Sequence, residues 1–284
     1  MSDMSQHFGM HLPLGGPDVD KDYWIEIPCG EFLLGSNKER DPQARFVELP
    51  QQVVGLETFY IGQFTVTNAQ FEAFVTAPDG YDDRQWWTDV GWDWKEERIT
   101  PDEHSSPVFR LPTHPRVYVS WYEAYAFSQW LGKQLACNIR LPNEVEWEKA
   151  ARGTTGNLYP WGDYWNPAKL NSAKSKLRQT SAVGSFVEGA SPYGVLHMAG
   201  NVREWCLTKF LPINPYDYEF WHYANGLNKM DNSIEGDCPR VLRGGSWQSS
   251  PSGCRCASRS GSSPYGRNEC WGFRVAIGST LNKS

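Results

Sequence analysis

Apolar and polar residues alternate with a period of two along Trp24-Ile-Glu-Ile-Pro-Cys-Gly-Glu-Phe-Leu-Leu-Gly35. The alternation predicts two short strands about a Pro-Cys-Gly turn. Gln52 to Ile61 reads as further strand. The period then changes. Phe71, Phe74 and Val75 recur at helical spacing behind Thr67-Asn68, either of which is a natural N-cap. Ser120, followed three residues on by Glu123, is a capping box, and the helix it opens runs to about Leu131 and ends at Gly132. Asn143 and Glu146 repeat the arrangement ahead of a helix reaching Arg152-Gly153. Between these helices, residues 80–112 are insert-like, with Trp86-Trp87, Trp92-Asp-Trp94, many charges and several breakers. After Gly153 periodicity fades into Pro, Gly, Asn, Ser and Trp with scattered short strands. Two main helices interleaved with short strands and much irregular loop predict an α+β fold in one domain, residues 21–284, without internal repeats.

The last fifth of the chain has two textures. Gly244-Gly245, Trp247 and Gly272-Phe-Arg-Val275 read as rigid turn, anchor and terminal strand. Between them runs a stretch of small polar residues punctuated by Arg255, Arg259 and Arg267 and by Pro251 and Pro264. Residues 240–276 therefore read as a binding surface mounted on a stiff frame.

Composition narrows the function classes. With 40% hydrophobic and 21% charged residues the chain is ordinary globular protein. Its 14 tryptophans suit loop staples, because indole is at ease half-buried. The net charge is −6 and no Lys/Arg-rich run occurs, so no nucleic-acid footprint is expected. No apolar run reaches the ~18 residues of a membrane helix, so no membrane insertion is expected. Residues 1–20 lack the basic and apolar regions of a secretory signal and read as a disordered leader, which makes a cytoplasmic location the expectation. The seven cysteines, an odd number, are then expected as thiols. Cys254-Arg-Cys256 lacks the further ligands a metal site needs.

Phe64-Thr-Val-Thr-Asn68, Val119-Ser-Trp-Tyr-Glu-Ala124, Arg140-Leu-Pro-Asn-Glu-Val-Glu-Trp-Glu148, Tyr159-Pro-Trp-Gly-Asp163, Met198-Ala-Gly-Asn-Val-Arg-Glu-Trp205, Arg243-Gly-Gly-Ser-Trp247 and Gly272-Phe-Arg274 occur in that order. Together they resemble the family of formylglycine-generating, sulfatase-modifying proteins, over roughly residues 24–277. The resemblance implies a variant of the C-type lectin fold. It also implies one of three kinds of protein: a copper-dependent oxidase of sulfatase cysteines, an iron-dependent sulfur enzyme, or a non-enzymatic binder with a hypervariable surface diversified by a retroelement.

The oxidases hold copper through two cysteines, since Cu(I) prefers soft ligands. The position matching the first is Ser249, and the second falls near Cys254; Cys256 stands at the wrong spacing to replace the first. The iron enzymes use histidines of an added helical domain. Here His7 and His11 have i, i+4 spacing, but Gly9 lies between them and Pro13 stands where an acidic residue is expected. The binder reading accounts for the polar stretch. Variable proteins descend from templates rich in Asn codons, altered at adenines. Ser249, Ser250, Ser252, Gly253, Ser258, Ser260, Gly261, Ser262, Ser263, Tyr265, Gly266, Asn268 and Cys270 are all reachable from an Asn codon, whereas Gln248, Glu269 and Trp271 are not. Trp247, Pro251, Arg255, Arg259, Pro264, Arg267 and Phe273 would be the frame. The expected function is thus a non-enzymatic ligand-binding protein, most like retroelement variable proteins. Its ligand would be a protein or other macromolecule, held by these slots with Trp247, Gln248, Glu269 and Trp271. Tyr265 and Trp271 are expected to be at least partly exposed and close together with the slots on one face, away from both main helices. The alternative is a copper-dependent oxidase of the formylglycine-generating type. No cofactor is required by the binder reading. The resemblance also implies a structural calcium at Gly200, Val202 and Glu204, although His197 stands where that site has an Asn or Asp, and calcium wants oxygen.

Overall fold

Pro28 and Cys29 send two neighbouring strands to different sheets. In a computed structural model, which describes residues 11–13, 15–18, 20–210 and 231–278, β1 (Trp24–Ile27) and β2 (Gly30–Leu34) form where the alternation predicts them. They do not pair with each other. Gly30, at φ +125°, turns the chain so that β2 forms a hairpin with β3 (Gln52–Leu56), while β1 pairs with β4 (Phe59–Gly62). The single strand predicted over 52–61 is thus two, and Thr58 Oγ1 at the break accepts the Cys29 N–H at 3.0 Å.

The three predicted helices are present. In α1 (Asn68–Thr76) Thr67 is the cap and Gln70 closes the box. The insert contributes a short helix that periodicity did not reveal, α2 (Asp89–Lys95), capped by Thr88. The next, α3 (Trp121–Leu135), starts at the Ser120–Glu123 box and runs past Gly132 to a left-handed cap at Ala136. Gly132 does not end it; a Cβ there would stand 2.8 Å from the Cys137 carbonyl oxygen, so the glycine lets the chain fold back closely. After β5 (Ile139–Arg140), α4 (Glu144–Arg152) is capped by Asn143 with Glu146.

The chain closes with β6 (Arg203–Lys209), β7 (Arg240–Arg243), β8 (Arg259–Ser262), β9 (Trp271–Phe273) and β10 (Ala276–Ile277). Beside the two-stranded β2-β3 sheet stand two four-stranded ones, ordered β1-β4-β10-β5 and β8-β7-β6-β9. Helices and strands are interleaved, the α+β arrangement expected. Phe71 and Phe74 of α1, Phe127 and Trp130 of α3 and Phe273 of β9 form one aromatic core, and Trp147 of α4 packs with Ile61, Met198 and Val241 in a second. Buried rings of this size dominate the hydrophobic stabilisation.

The stretch read as a leader is mostly outside the described residues, including His7. From His11 onward it makes contacts: Gln70 Nε2 donates to the His11 carbonyl at 2.8 Å, Leu12 lies against the aromatic core, and Trp24 Nε1 donates to the Gly15 carbonyl at 2.9 Å. Packing therefore begins before residue 21.

Candidate functional site

The arginines spaced through the polar stretch are pegs. Arg255 reaches Glu48 at 2.8 Å and also pairs with Asp41. Arg259 grips Glu144 of α4 with two bonds, Nε to Oε1 at 2.6 Å and Nη2 to Oε2 at 2.5 Å. Arg267 donates to Glu123 of α3 at 2.8 Å. Arg243 joins Glu144 and Glu148 from the other side. Such pairs are buried, and each charge is satisfied only while its partner is present. Gly244 and Gly245, at φ +91° and +71°, make the turn into the stretch. A Cβ on Gly245 would come within 2.6 Å of the Gly253 carbonyl oxygen, so the turn and the stretch are in backbone contact. Cys254, Cys256, Cys270 and Phe273 are buried beneath.

Above this frame lie two joined hollows. The larger, about 490 Å³, is lined by Arg203, Ser246, Gln248, Ser249, Ser250, Gly253, Asn268, Cys270 and Trp271. The smaller, about 190 Å³, is lined by Gln43, Arg45, Arg203, Ser250, Ser252, Gly253, Arg255 and Ser258. Arg203, Ser250 and Gly253 belong to both, so the surface is continuous. Gln248, Ser249, Ser250, Ser252, Gly253, Ser258, Asn268 and Trp271 are thereby brought together.

The remaining slots sit differently. Ser260 accepts a hydrogen bond from Arg203 Nη1 at 2.7 Å. Gly261 and Ser262 are in β8, paired with Val241 and Arg240. A Cβ on Gly261 would stand 2.2 Å from the Phe210 ring, so a larger residue fits only if that ring moves. A Cβ on Gly266 would approach Trp271 at 3.0 Å and the Ser263 carbonyl oxygen at 3.1 Å, which places these residues side by side. Tyr265 is 48% exposed, but the carbonyl of the preceding Pro264 accepts the Trp121 N–H at the start of α3. Tyr265 thus flanks a main helix, contrary to expectation, and lines neither hollow. Trp271 is half-buried against Trp205. Trp247 is likewise half-buried, its ring against Phe109 and its Nε1 near the Glu269 carbonyl. Glu269 takes hydrogen bonds from Gln248 at 2.8 Å and His104 at 3.2 Å.

Ser249 is not a free display position. It is 7% exposed, and its Oγ accepts the Ser246 N–H at 2.9 Å. It lines the larger hollow as part of the wall. Arg203, which sequence reasoning passed over, is the residue around which both hollows are arranged. The available signal was its place on β6, where alternation points it to the face opposite Glu204.

Glu204 is already fully engaged. Arg274 donates from Nε to Oε2 at 2.6 Å and from Nη2 to Oε1 at 2.8 Å, and Trp147 Nε1 donates to Oε2 at 2.8 Å. The same guanidinium takes the carbonyls of Gly62 and Leu196. His197 is buried beside it, and burial, helped by Arg274, pulls its pKa down to about 4.

A family model for the sulfatase-modifying factor enzyme 1-like domain matches residues 16–278. The chain belongs to this sulfatase-modifying factor family. It is 32% identical over 286 residues to hercynine oxygenase of Mycolicibacterium smegmatis, covering 94% of this chain and 64% of that protein, so it spans just under two-thirds of that relative's length. It is 31% identical over 297 residues to the formylglycine-generating enzyme of Streptomyces coelicolor, covering 89% of this chain and 88% of that one. Among solved structures, PvdO from Pseudomonas aeruginosa superposes with a TM-score of 0.70 at 25% identity, covering 90% of this chain and 94% of that one. Treponema denticola variable protein 1 gives 0.62 at 22% identity, covering 89% and 94%. The fold is the C-type lectin-like α+β fold of this family.

Among the described residues, neither the copper pair nor the calcium set that the resemblance implies finds a full donor set. The copper pair needs two soft thiolates, and at the first position Ser249 offers a hydroxyl already bonded to Ser246. Burial raises the Cys254 and Cys270 thiols to about 12 and 11, which keeps both protonated near neutral pH. For calcium, the Glu204 carboxylate is neutralised by Arg274, and His197 brings nitrogen where a hard cation wants oxygen. Gly200 and Val202 adjoin this pair in the chain, but the charge that would attract a cation is already matched.

Proposed function

We propose that this chain is a non-enzymatic ligand-binding member of its family, recognising a protein or other macromolecule through the concave face around Arg203, with the polar stretch of residues 240–276 as a diversified recognition segment. One observation carries the reading: within that segment Arg259, Arg267, Cys254, Cys256 and Phe273 are spent on the frame, whereas Gln248, Ser250, Ser252, Gly253, Ser258, Asn268 and Trp271 line the joined hollows. Exchanging small polar side chains at a surface costs little stability. Ser, Gly and Asn also suit adaptable recognition, as in antibody loops. The test is genomic. A near-copy of the codons for about Trp247–Phe273, differing mainly at adenines and lying beside a reverse transcriptase gene, is expected; a closed genome without one removes diversification.

The second reading is a copper-dependent oxidase acting on a protein or peptide cysteine. The likeness to the Streptomyces coelicolor enzyme favours it, as does Cys254 behind the larger hollow. It requires a thiolate where Ser249 stands. Loaded with copper under oxygen, the protein is expected to leave a cysteine-containing sulfatase peptide unchanged by mass spectrometry. A copper-dependent aldehyde product would overturn the binding reading.

A further inference from the structure

Arg203 opens β6, and the parallel register with β9 sets it opposite Trp271. Its guanidinium is half-buried where the two hollows meet. The hydrogen bond it makes, at 2.7 Å, goes to the neutral hydroxyl of Ser260. Among the described residues no carboxylate pairs with it. Burial lowers its pKa, with Arg45 acting in the same direction and only the Cys254 and Cys270 thiols opposing. A guanidinium withdrawn from water and left without an anion is an unfinished interaction.

The surrounding charges set the valence of what would finish it. Arg45 and Arg255 also border the smaller hollow. Their two positive charges are matched by Glu48, at 2.9 and 2.8 Å, and by Asp41. Glu269 hydrogen-bonds with Gln248 and His104 and lines neither hollow. The surplus at the junction is therefore one positive charge, which calls for a monoanion; a phosphate dianion would need a second unmatched cation. The planar fork of an arginine fits a carboxylate with two parallel hydrogen bonds. Neutral donors stand nearby: the hydroxyls of Ser250 and Ser252, and the Asn268 amide, whose Oδ1 takes the Cys270 N–H at 2.9 Å and leaves its NH₂ free to donate. The larger hollow, about 490 Å³, is in the range that encloses small organic groups.

We propose that Arg203 anchors a carboxylate-binding site, and that the concave face takes ligands through a single carboxylate, either of a free small acid or of a peptide. This rests on the reading of the face as a binding surface and names the chemistry it recognises.

The experiment titrates the full chain with matched probes while following the Arg203 Nε–H resonance, assigned with Arg203→Lys. The probes are N-acetylglycine and its amide, a blocked tetrapeptide containing Asp and the same peptide containing Asn, and inorganic phosphate. At least one acid is expected to shift the resonance saturably, with a preference of about tenfold or more over its neutral partner, as charge-assisted hydrogen bonds imply. Response to N-acetylglycine alone assigns a free acid, and response to the Asp peptide assigns a peptide carboxylate. Arg203→Gln, which lacks the reporter and is therefore titrated by calorimetry, should abolish the preference. Ser250→Trp, at an exposed position shared by both hollows, should block binding while leaving the melting temperature within about 1 °C, because exposed substitutions cost little. Equal binding of acid and neutral probes, tighter binding of phosphate, or unchanged acid binding by Ser250→Trp would overturn the carboxylate anchor while leaving the binding face standing. No response to any probe also overturns the anchor, and the proposed function is then decided by its own genomic and copper tests.

Discussion

Arg259 and Glu144 lock the polar stretch to α4 through a two-pronged ion pair, 2.6 and 2.5 Å long, with almost no solvent exposure on either side chain. Arg243 shares the same carboxylate. The pairing explains why a stretch so poor in apolar residues has a fixed course: its arginines have matched charges waiting in the helices and the N-terminal loops.

Breaking that lock is expected to be costly. Glu144→Ala leaves Arg243 and Arg259 short of a buried partner and should destabilise the protein by about 3–5 kcal/mol, the usual penalty for one orphaned member of a buried pair. Arg259→Ala should fall in the same range, and the double variant should cost far less than the sum, because the second removal relieves the orphaned charge. Urea unfolding monitored by tryptophan fluorescence measures all three. Simple additivity would mean that the pair is not coupled as described.

The lining of the hollows should tolerate change where the frame does not. Ser250→Asp and Ser252→Tyr are each expected to alter stability by no more than about 0.5 kcal/mol. Phe273→Ala removes a fully buried ring packed against Phe71 and Phe127 and should cost roughly 3–5 kcal/mol. Ser249 belongs with the frame: Ser249→Ala strips the Ser246 N–H of its acceptor, a loss of about 1–3 kcal/mol where no water replaces it. Thermal melts of the single variants separate the two groups, and comparable losses at Ser250 and Phe273 would mean the polar stretch is core.

How much of this was legible in the sequence depends on range. The three capping boxes at Thr67, Ser120 and Asn143 are local, so the helices behind them could be read directly. Strand pairing is not local. Ala276 of β10 sits between Ile61 and Arg140, and nothing in Gln52–Ile61 announces that half of it pairs with β2 and half with the chain terminus. In the candidate site, the roles of Arg255, Arg259 and Arg267 are readable from their spacing, but their partners Glu48, Glu144 and Glu123 lie 115 to 207 residues away. The burial of Ser249 was hidden because a serine hydroxyl suits solvent and a wall equally. Nothing in the phrase Asn-Val-Arg-Glu-Trp sets Arg203 apart from its neighbours; only the β6–β9 register places it beside Trp271.

His197 supplies a pH dependence. It is neutral in the folded protein, where burial and Arg274 depress its pKa to about 4, against an ordinary 6.5. Its contribution to stability is complete above about pH 6.5. Below that the unfolded chain takes up a proton that the folded chain refuses, so stability falls until about pH 4, where the folded form also protonates. The shift corresponds to a loss of about 3 kcal/mol across this window. Unfolding free energies of the wild type and His197→Asn, taken from pH 7 to 4, should show a steeper decline for the wild type. Parallel curves would mean that His197 is protonated as readily in the folded state as in the unfolded one.

Calcium should matter little, for the same reason that Glu204 matters a great deal. Its carboxylate lies between Arg274 and the Trp147 indole, with both oxygens bonded and no exposure to solvent. A divalent cation at this carboxylate would have to compete with a buried guanidinium that also organises the carbonyls of Gly62 and Leu196. Scanning calorimetry with EDTA and with calcium in large excess is expected to give melting temperatures within about 1 °C of each other, since only a ligand that binds the folded state shifts the equilibrium. Glu204→Gln, in contrast, should cost about 3–5 kcal/mol by leaving Arg274 buried without its counter-charge, and added calcium should restore none of it. A site filled to about 100 times its Kd would contribute roughly 2.7 kcal/mol, enough to raise the melting point by several degrees. A rise of that size on adding calcium, lost in Glu204→Gln, would show that the carboxylate serves a cation in preference to Arg274.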